Sequence, residues 1–502
     1  MKRHTIHMCA LPLIILVCER VRLKFLCFAG VAFLLASIAP QGALAQDRYV
    51  DSVAGANAGV CDNPIAPCQT IDFALGVSVA GDTINLISLA GTPITFFESG
   101  LTIPHDLAIV GAGMLQTEID AQDTDRIFSI NANLVRIDGV TLRNGNAGFT
   151  NGGAIELLGG NLIVSRSRLL DNQALAGGGI AADAGAGDVL VFASVIKDNL
   201  ATGSGGGVWC DECDSVTVIF SRLVDNITGG LGGAIYAEGT RVLASTSRLS
   251  RNNANAGGGI WANYAVVQVL DSEMADNEAD TSDGGAVNIG GTLNIERSTL
   301  AGNIAPAGGG GAVYMIGDGD FASANSTYSG NSALWGGGLG LAGNFGPGPD
   351  VLIGTSTFFN NESTFPNTAE HIFGVWNTFG LYNSIVANDL TTGAVFDPYC
   401  SGVLTAGNHN LIDDASCDTG GVNFNLGQVT DLDPNLAYNG GPTRTHTIDP
   451  TSNAVDAGNN AAALNPWTGT PLVIDQRAQP RPVDYDGNGL DEVDIGAVEL
   501  QP

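Results

Sequence analysis

Residues 226–252 read NITGGLGGAIYAEGTRVLASTSRLSRN, and the fold follows from how often this phrase recurs. It joins Asn226, a small linker, the run Gly232-Gly233-Ala234-Ile235 and a β-prone stretch rich in Ser and Thr. The Asn-to-Asn steps from Asn144 to Asn360 are 28, 27, 27, 26, 25, 26, 28 and 29 residues. A period in this range indicates a solenoid. An aliphatic residue follows each Gly pair: Ile180, Val208, Ile235, Ile260, Val287, Val313 and Leu339.

Each repeat contains about three short strands, because its apolar pieces are short, β-prone and bounded by Gly or polar residues. Three strands per ~26 residues form one coil of a parallel β-helix, and each strand pairs with its counterpart in the next coil. The sequence therefore predicts an all-β, right-handed parallel β-helix solenoid with the aliphatic residues stacked inside. We expect the Gly pairs to form turns at positive φ. The repeated Asn residues are expected to adopt the left-handed conformation and to hydrogen bond between coils.

The N-terminal residues have the pattern of a secretory signal. Three basic residues, Arg20, Arg22 and Lys24, precede an apolar run and the cleavage-type sequence Ala43-Leu44-Ala45. We divide the chain into residues 1–45 as signal peptide, 46–100 as N-terminal cap and first coil, 101–430 as β-helix repeats, and 431–502 as a β-rich C-terminal module. Within the cap, an amphipathic helix is predicted from Thr70 to Val79, over the open end of the first coil.

The charge of the chain restricts its partners. Removing residues 1–45 takes away five basic residues and one acidic residue, so the formal net charge changes from −31 to −35. Such a surface repels phosphates and anionic lipids, which predicts no nucleic-acid partner. No transmembrane span is predicted in the mature chain. Cation binding is the more plausible electrostatic interaction.

Six cysteines remain after signal cleavage, and each has a near neighbour in the sequence. An even count in an exported chain predicts the local disulfides Cys61–Cys68, Cys210–Cys213 and Cys400–Cys417. For Cys210-Asp-Glu-Cys213 a redox pair or a zinc site is the alternative. A zinc site needs about four ligands, and no second close pair accompanies this one.

An aromatic column is the candidate binding site. If the aliphatic residue after each Gly pair points inward, its successor points outward. That successor is Trp209, Tyr236, Trp261, Asn288 and Tyr314 on consecutive coils. Stacked aromatics on an outer face can bind sugar rings or a partner chain. They can also be a ladder that only stabilises the sheet.

A second candidate site is the acidic run from Asp484 to Asp494. Oxygen ligands at alternate positions around a Gly turn are typical of a Ca²⁺ loop. The predicted ligands are Asp484, Asp486, Asn488, Asp491 and Asp494. Ile495 stands where an EF-hand has its bidentate Glu, so a plain acidic turn is the alternative.

Two family resemblances follow from these motifs. The Gly-Gly-Ala-Ile phrases with their upstream Asn resemble the repeats of polymorphic outer-membrane proteins and of the wider pectin-lyase-like superfamily, over roughly residues 140–360. The C-terminal runs 439–446, 475–477 and 494–499 resemble the choice-of-anchor Q domain of exported bacterial proteins. Asn453 and Ala478 depart from that domain, where Pro and Gly are usual. No anchor-like sequence follows, so we expect a released protein or one associated with the outer membrane.

Function is less determined than fold. The hydrolase phrases of this superfamily are not present as a set, because Asp413-Asp414 stands alone and there is no Gly-His-Gly. The leading hypothesis is a non-enzymatic, secreted or cell-surface adhesin or binding module that contacts an extracellular glycan or protein. The alternative is a polysaccharide lyase or glycoside hydrolase on the same fold. Convergence of carboxylates with Arg or Lys on one groove would favour the enzyme.

Overall fold

The computed structural model describes residues 45–343, 348–366, 368–389, 398–401, 405–414, 416–417, 426–485 and 487–502. All but the last residue of the predicted signal peptide lies outside this part of the chain. The described residues form an all-β parallel solenoid of about 12 turns with ~27 residues per turn and almost no helix. The predicted parallel β-helix is thereby confirmed.

The strands belong to three parallel sheets that follow the solenoid axis. Within the part of the chain that the structure describes, the large sheet has 22 strands. They are Asp47–Val50, Asp82–Leu86, Leu101–Ile103, Leu107–Gly111, Phe128–Asp138, Ile155–Ser165, Ile180–Ala182, Ala186–Phe192, Val208–Asp211, Ser215–Ile219, Ile235–Glu238, Arg241–Ser245, Ile260–Leu270, Val287–Glu296, Val313–Ile316, Asp320–Ala324, Leu339–Ala342, Asp350–Gly354, Ile372–Gly374, Thr378–Tyr382, Cys400–Ser401 and Ala406–Asn408.

The second and third sheets are shorter. The second sheet has 13 strands: Ile94–Phe96, Thr117–Asp120, Thr141–Arg143, Arg168–Leu170, Val195–Lys197, Arg222–Val224, Arg248–Ser250, Glu273–Ala275, Thr299–Ala301, Thr327–Ser329, Thr357–Phe359, Ile385–Ala387 and Leu411–Ile412. The third sheet has 8 strands: Gln173–Ala174, Leu200–Ala201, Ile227–Thr228, Asn253–Ala254, Glu278–Ala279, Ile304–Gly309, Ser332–Trp335 and Glu362–Ser363.

One coil shows how the repeat is built. After the third-sheet strand Ile227–Thr228, the chain turns at Gly232 and enters the large sheet at Ile235. Positive φ was predicted for both members of the Gly pair, and Gly232 has a φ of 70°, whereas Gly233 does not have a positive φ. A Cβ on Gly233 would lie 2.2 Å from the carbonyl oxygen of Gly258 in the next coil, so only Gly fits there. The Gly pair therefore sets both the turn and the close approach of adjacent coils.

The interior column consists of the predicted aliphatic residues. Each pairs in register with its counterpart one coil away. All seven have an exposed fraction of 0%: Ile180, Val208, Ile235, Ile260, Val287, Val313 and Leu339.

A buried asparagine ladder joins the coils. Each side-chain NH₂ group donates to the Oδ1 of the next Asn at 2.8–2.9 Å. The ladder comprises Asn172, Asn199, Asn226, Asn252, Asn277, Asn303, Asn331 and Asn361. Each donating Asn also bonds a backbone carbonyl of the preceding coil, as Asn252 does with Leu223 at 3.0 Å. The predicted bonding between coils is confirmed.

The left-handed residue lies one position before the predicted one. Asp171, Asp198 and Asp225, which precede ladder residues, have φ values of 55°, 56° and 59°. Asn144 and Asn360 also occupy this position, with φ values of 55° and 50°. The prediction that these two are ladder residues is therefore wrong, because the ladder side chain comes from the position after the left-handed residue.

A second ladder, formed by serines, was not predicted from the sequence. Eight serines, from Ser167 to Ser356, each donate their backbone N–H to the side-chain hydroxyl of the corresponding serine in the next coil. The last acceptor is Ser384. The serine ladder runs along the turn between the large and second sheets. Together with the asparagine ladder, it gives buried polar groups at two turns of each coil hydrogen-bond partners in the next coil.

The N-terminal cap contains a helix, Ile71–Val77, shorter than predicted. It begins after Thr70, whose side chain accepts a hydrogen bond from the N–H of Phe73. The helix buries Ile71, Ala74 and Leu75 against the first coils. A 3-10 turn at Asn460–Ala462 is the other helical element of the described residues. Among the described residues, no helical element reaches the length and hydrophobicity that a membrane-spanning helix requires.

All three predicted disulfides are present: Cys61–Cys68, Cys210–Cys213 and Cys400–Cys417. The Cys210–Cys213 bridge is buried, since the two residues are 0% and 2% exposed. This geometry favours the structural interpretation over the redox and zinc alternatives for this pair.

The C-terminal segment, residues 426–485 and 487–502, folds back along the outer face of the second sheet. Its Arg444 pairs with Glu273 at 2.8 Å, and its Gln476 accepts a hydrogen bond from Thr327 at 2.6 Å. Further along, Asn383 donates to the carbonyl of Asn459 at 3.0 Å. Isolated antiparallel bridges hold the segment together internally. In the later coils it buries outward residues of the second sheet, including Thr299, Thr327, Thr357 and Phe359.

Arg481 fastens the end of this segment to the solenoid. Its side chain is fully buried and donates to Glu499 at 2.7 Å and to Asn325 of the solenoid at 2.8 Å. It also donates to the backbone carbonyls of residues 494, 496 and 498. Because the buried guanidinium is paired and hydrogen bonded, it joins two layers without an uncompensated charge.

The ladder can be tested with one substitution. Asn252→Ala removes four side-chain hydrogen bonds and leaves buried partners unpaired, so we expect the free energy of unfolding to fall by roughly 2–4 kcal/mol. Urea denaturation measures this loss. The adjacent Asn253→Ala is the control, because Asn253 faces outward and bonds Asp280 at the surface. Equal effects of the two substitutions would contradict the role of the ladder.

Candidate functional site

One line of outward residues in the large sheet forms a continuous column along the solenoid. It is defined by the residue after each inward apolar position, one residue per coil. We call it the outer column: Thr102, Ser129, Glu156, Ala181, Trp209, Tyr236, Trp261, Asn288, Tyr314, Gly340 and Phe373. The predicted register of the aromatic residues is therefore the observed one.

Three aromatic rings stack at the centre of the outer column. The centroids of Trp209 and Tyr236 are 6.2 Å apart, with an interplanar angle of 18°. Those of Tyr236 and Trp261 are 4.8 Å apart at 9°. This spacing leaves no room for a ligand between the rings, and both faces of Tyr236 are covered by its neighbours. The half-buried stack stabilises the sheet as a ladder, and its edges and outermost faces are what a ligand can reach.

A second aromatic cluster lies further along the column. Tyr314 is only 8% exposed, because Trp335 from the third sheet packs against it with centroids 5.5 Å apart. Trp335 also contacts Phe373 at 5.2 Å. Its ring lies where a Cβ on Gly309 would be, at 2.3 Å, so a glycine makes the space for it. Trp335 and Phe373 were not predicted from the sequence, since neither follows a Gly pair.

A polar row runs beside the central stack. Asp211, Glu238 and Asn263 are paired in register, two residues beyond each stacked ring. Glu238 accepts from the Tyr236 hydroxyl at 3.4 Å and from the amide of Asn263 at 3.0 Å. Burial, together with the negative charges of Glu238 and Asp211, raises the pKa of Tyr236 to about 12. The Tyr236 hydroxyl therefore stays protonated and acts as a hydrogen-bond donor. The side chains of the polar row present acceptor oxygens beside it.

An arginine and a carboxylate meet in the earlier coils of the outer column. Arg126 forms an ion pair with Glu156, which also accepts from the Ser129 hydroxyl at 3.2 Å. Burial lowers the pKa of Arg126, although the nearby charges of Asp125 and Asp183 oppose this shift. No sequence motif marks these residues. Counting back along the strand register would have identified Glu156, because it lies two coils before Trp209 in the same column.

The Asp413-Asp414 pair lies away from the outer column, after the last strand of the second sheet. Burial raises the pKa of Asp413 to about 6, and the charge of Asp414 adds to the shift. The Asp413 carboxylate accepts the backbone N–H groups of Val429 at 3.1 Å and Asn388 at 3.3 Å. These bonds give Asp413 a structural role in joining turns.

The predicted Ca²⁺ ligands are spread over a turn and a buried site. Asp484 accepts from the N–H groups of Asn488 and Gly489 at 3.0 and 2.9 Å. The backbone carbonyl of Asp491 accepts from Asn460 at 2.7 Å. Asp486 lies outside the described residues. Within the part of the chain that the structure describes, no group of three or more His, Cys, Asp or Glu is arranged to hold a metal ion. The Ca²⁺ site stays a prediction.

Asp494 is 1% exposed, beneath the turn. Its carboxylate accepts the N–H groups of Asp456 at 2.8 Å and Leu500 at 2.6 Å. Burial, and then the charge of Glu499, raise the pKa of Asp494 to about 7, although Arg481 opposes this shift. The folded protein therefore keeps a proton on Asp494 that the unfolded chain releases at lower pH.

The pH dependence of unfolding tests this buried carboxyl. Because the folded pKa is raised, the stability it contributes is lost as pH rises from 3.8 to about 7. His446 has the opposite slope in this window, since burial lowers its pKa to about 4. We therefore compare wild type with Asp494→Asn by thermal and urea unfolding. The variant should become more stable relative to wild type by roughly 2–4 kcal/mol across the window. A constant difference would contradict the raised pKa.

The class of protein is thus a parallel β-helix whose large sheet carries an outer column of aromatic and polar residues. No family model matches the sequence, and no curated protein matches it. Among solved structures, pectate lyase Pel9A is similar with a TM-score of 0.37 and 15% identity, over 91% of this chain and 96% of that one.

Two further solved structures are similar. The complex of XylC with xylose has a TM-score of 0.44 and 10% identity, over 91% of this chain and 98% of that one. The PL6 family alginate lyase AlyGC has a TM-score of 0.32 and 12% identity, over 85% and 60%. With TM-scores of at most 0.44, these likenesses carry no argument about activity, which has to come from the residues of this chain.

Proposed function

We propose that this protein is an exported, non-enzymatic binding module that holds a neutral polysaccharide along the outer column. The observation that carries the proposal is the half-buried stack of Trp209, Tyr236 and Trp261 beside a row of acceptor oxygens. Aromatic surface and hydroxyl-binding acceptors are the two chemistries that sugar rings use in binding. The parallel coils repeat them every ~4.8 Å, which suits an extended polymer.

Charge argues for a neutral ligand. The chain has a formal net charge of −31, and the polar row adds Asp211 and Glu238 next to the stack. A polyuronate or a nucleic acid would be repelled at this surface, whereas the hydroxyl groups of a neutral glycan can donate to the carboxylates. The three disulfides support export, because such bridges persist in oxidising compartments.

The aromatic stack can be tested by retention on insoluble neutral glycans such as xylan, mannan and β-glucan. Trp209→Ala combined with Trp261→Ala removes the two outer rings of the stack, and we expect retention to weaken by roughly tenfold or more. Phe149→Ala is the control, because Phe149 is an aromatic residue outside the outer column and 93% exposed. Unfolding curves separate lost binding from lost folding. Wild-type retention unchanged in the folded double variant would contradict the proposal, as would no retention of wild type on any neutral glycan.

The second candidate is a polysaccharide-cleaving enzyme. The specific observation in its favour is the ion pair between Arg126 and Glu156 of the outer column. Burial lowers the pKa of Arg126 at this position. A group with a shifted pKa beside a charged partner marks a candidate site for proton transfer during bond cleavage.

Cleavage is assayed on the same glycans, and on polygalacturonate and alginate, by the appearance of new reducing ends or unsaturated products. An enzyme would release products as wild type and lose at least about 100-fold of its rate in Glu156→Gln, since one general acid or base contributes that much. Absence of products from every glycan would leave the binding module as the better account.

A further inference from the structure

Tyr264 occupies an extra position in the large sheet. In the pairing of Ile260–Leu270 with the next strand, Asn263 lies opposite Gly290 and Ala265 lies opposite Gly291. Tyr264 is therefore inserted as a β-bulge, with no partner of its own in that strand. Bulges of this kind bend a strand and redirect a side chain, and they occur often beside functional sites.

The conformation of Tyr264 is unfavourable for its side chain. Its φ is 49°, in the left-handed region that bulky residues rarely adopt. In the two preceding coils the large sheet bends between two strands, after Val208–Asp211 and after Ile235–Glu238. The residues at these bends are Glu212 and Gly239, which also have positive φ values of 56° and 61°. A Gly meets the backbone requirement of this bend without strain, as Gly239 does.

The Tyr264 ring gains little from packing in return. The residue is 82% exposed, the highest exposure of any aromatic residue among those described except Phe149. It directly follows Asn263, the last member of the polar row, and lies three residues after Trp261 of the stack. In contrast to the stacked rings, whose faces cover one another, its ring faces are open to solvent.

We propose that Tyr264 is a glycan-binding residue at the edge of the outer column. Its open ring face supplies a stacking surface for a sugar ring that Tyr236, covered on both faces, does not offer. The bulge holds the Tyr264 ring next to Asn263, on the side of the polar row that faces away from the aromatic stack. A glycan bound there would contact both the ring and the polar row. This inference rests on the proposed glycan-binding function and adds to it a residue that contacts the glycan directly.

The test uses Tyr264→Gly in the full mature chain. Glycine suits the positive φ, so the variant should unfold at a higher temperature than wild type. Its retention on the neutral glycan that wild type binds should weaken by roughly five- to tenfold. Tyr264→Phe keeps the ring and should retain binding within about twofold of wild type. A gain in stability together with a loss of binding is a result that a purely structural residue would not produce.

Phe220→Gly is the matched control. Phe220 is also aromatic, 59% exposed and at a positive φ of 51°, but it lies at the turn from the large sheet into the second sheet. This control should leave retention unchanged. Retention of Tyr264→Gly equal to wild type, while the Trp209→Ala and Trp261→Ala double variant loses binding, would overturn this inference alone. Absence of wild-type retention on all neutral glycans would overturn the proposed function as well.

Discussion

The structure depends on the stacking of one coil on the next in register, and the asparagine ladder is the interaction that enforces it. Each ladder Asn lies buried at a turn, where its amide has no access to water. Its hydrogen bonds are completed only when the neighbouring coils place their own Asn and carbonyl groups at the same height. A shift of register would leave these buried groups unpaired, at a cost per group comparable to a whole hydrogen bond. The serine ladder and the Gly pairs impose the same constraint at other turns of the coil.

Register in turn creates the candidate site. Because each coil repeats the position of the one before, the residue after each inward aliphatic side chain always emerges on the same line of the large sheet. Trp209, Tyr236 and Trp261 therefore stack, and Glu156 joins their column without being near them in sequence. In the later coils, from Glu273 onward, the C-terminal segment covers the second sheet, and Arg481 and Glu499 hold it in place. The covered face is thus removed from contact with ligands, while the outer column of the large sheet remains available.

The sequence predicted the parts of this arrangement that repeat. The aliphatic column, the Asn-to-Asn bonding, the aromatic register and the disulfide pairs are all confirmed, because a periodic pattern and a near neighbour are visible without coordinates. It failed for residues that break the period. Asn144 and Asn360 were assigned one position away from the ladder residue, and Trp335, Phe373 and Tyr264 were not recognised. These aromatics come from the third sheet, from a coil without a Gly pair and from a bulge, so no repeat marks them.

By itself, the sequence determined that the chain forms a parallel β-helix and which side chains point inward, since strand alternation and a regular period are properties of local sequence. It could not determine which outward residues share a surface across coils of unequal length, which of them the returning C-terminal segment covers, or which ring faces remain open. The Arg126 and Glu156 pair, the burial of Asp494 and the exposure of Tyr264 were decided only by the tertiary structure. The physical reason is that contacts between residues some 25 to 180 positions apart depend on register and layer packing, which no short stretch of sequence encodes.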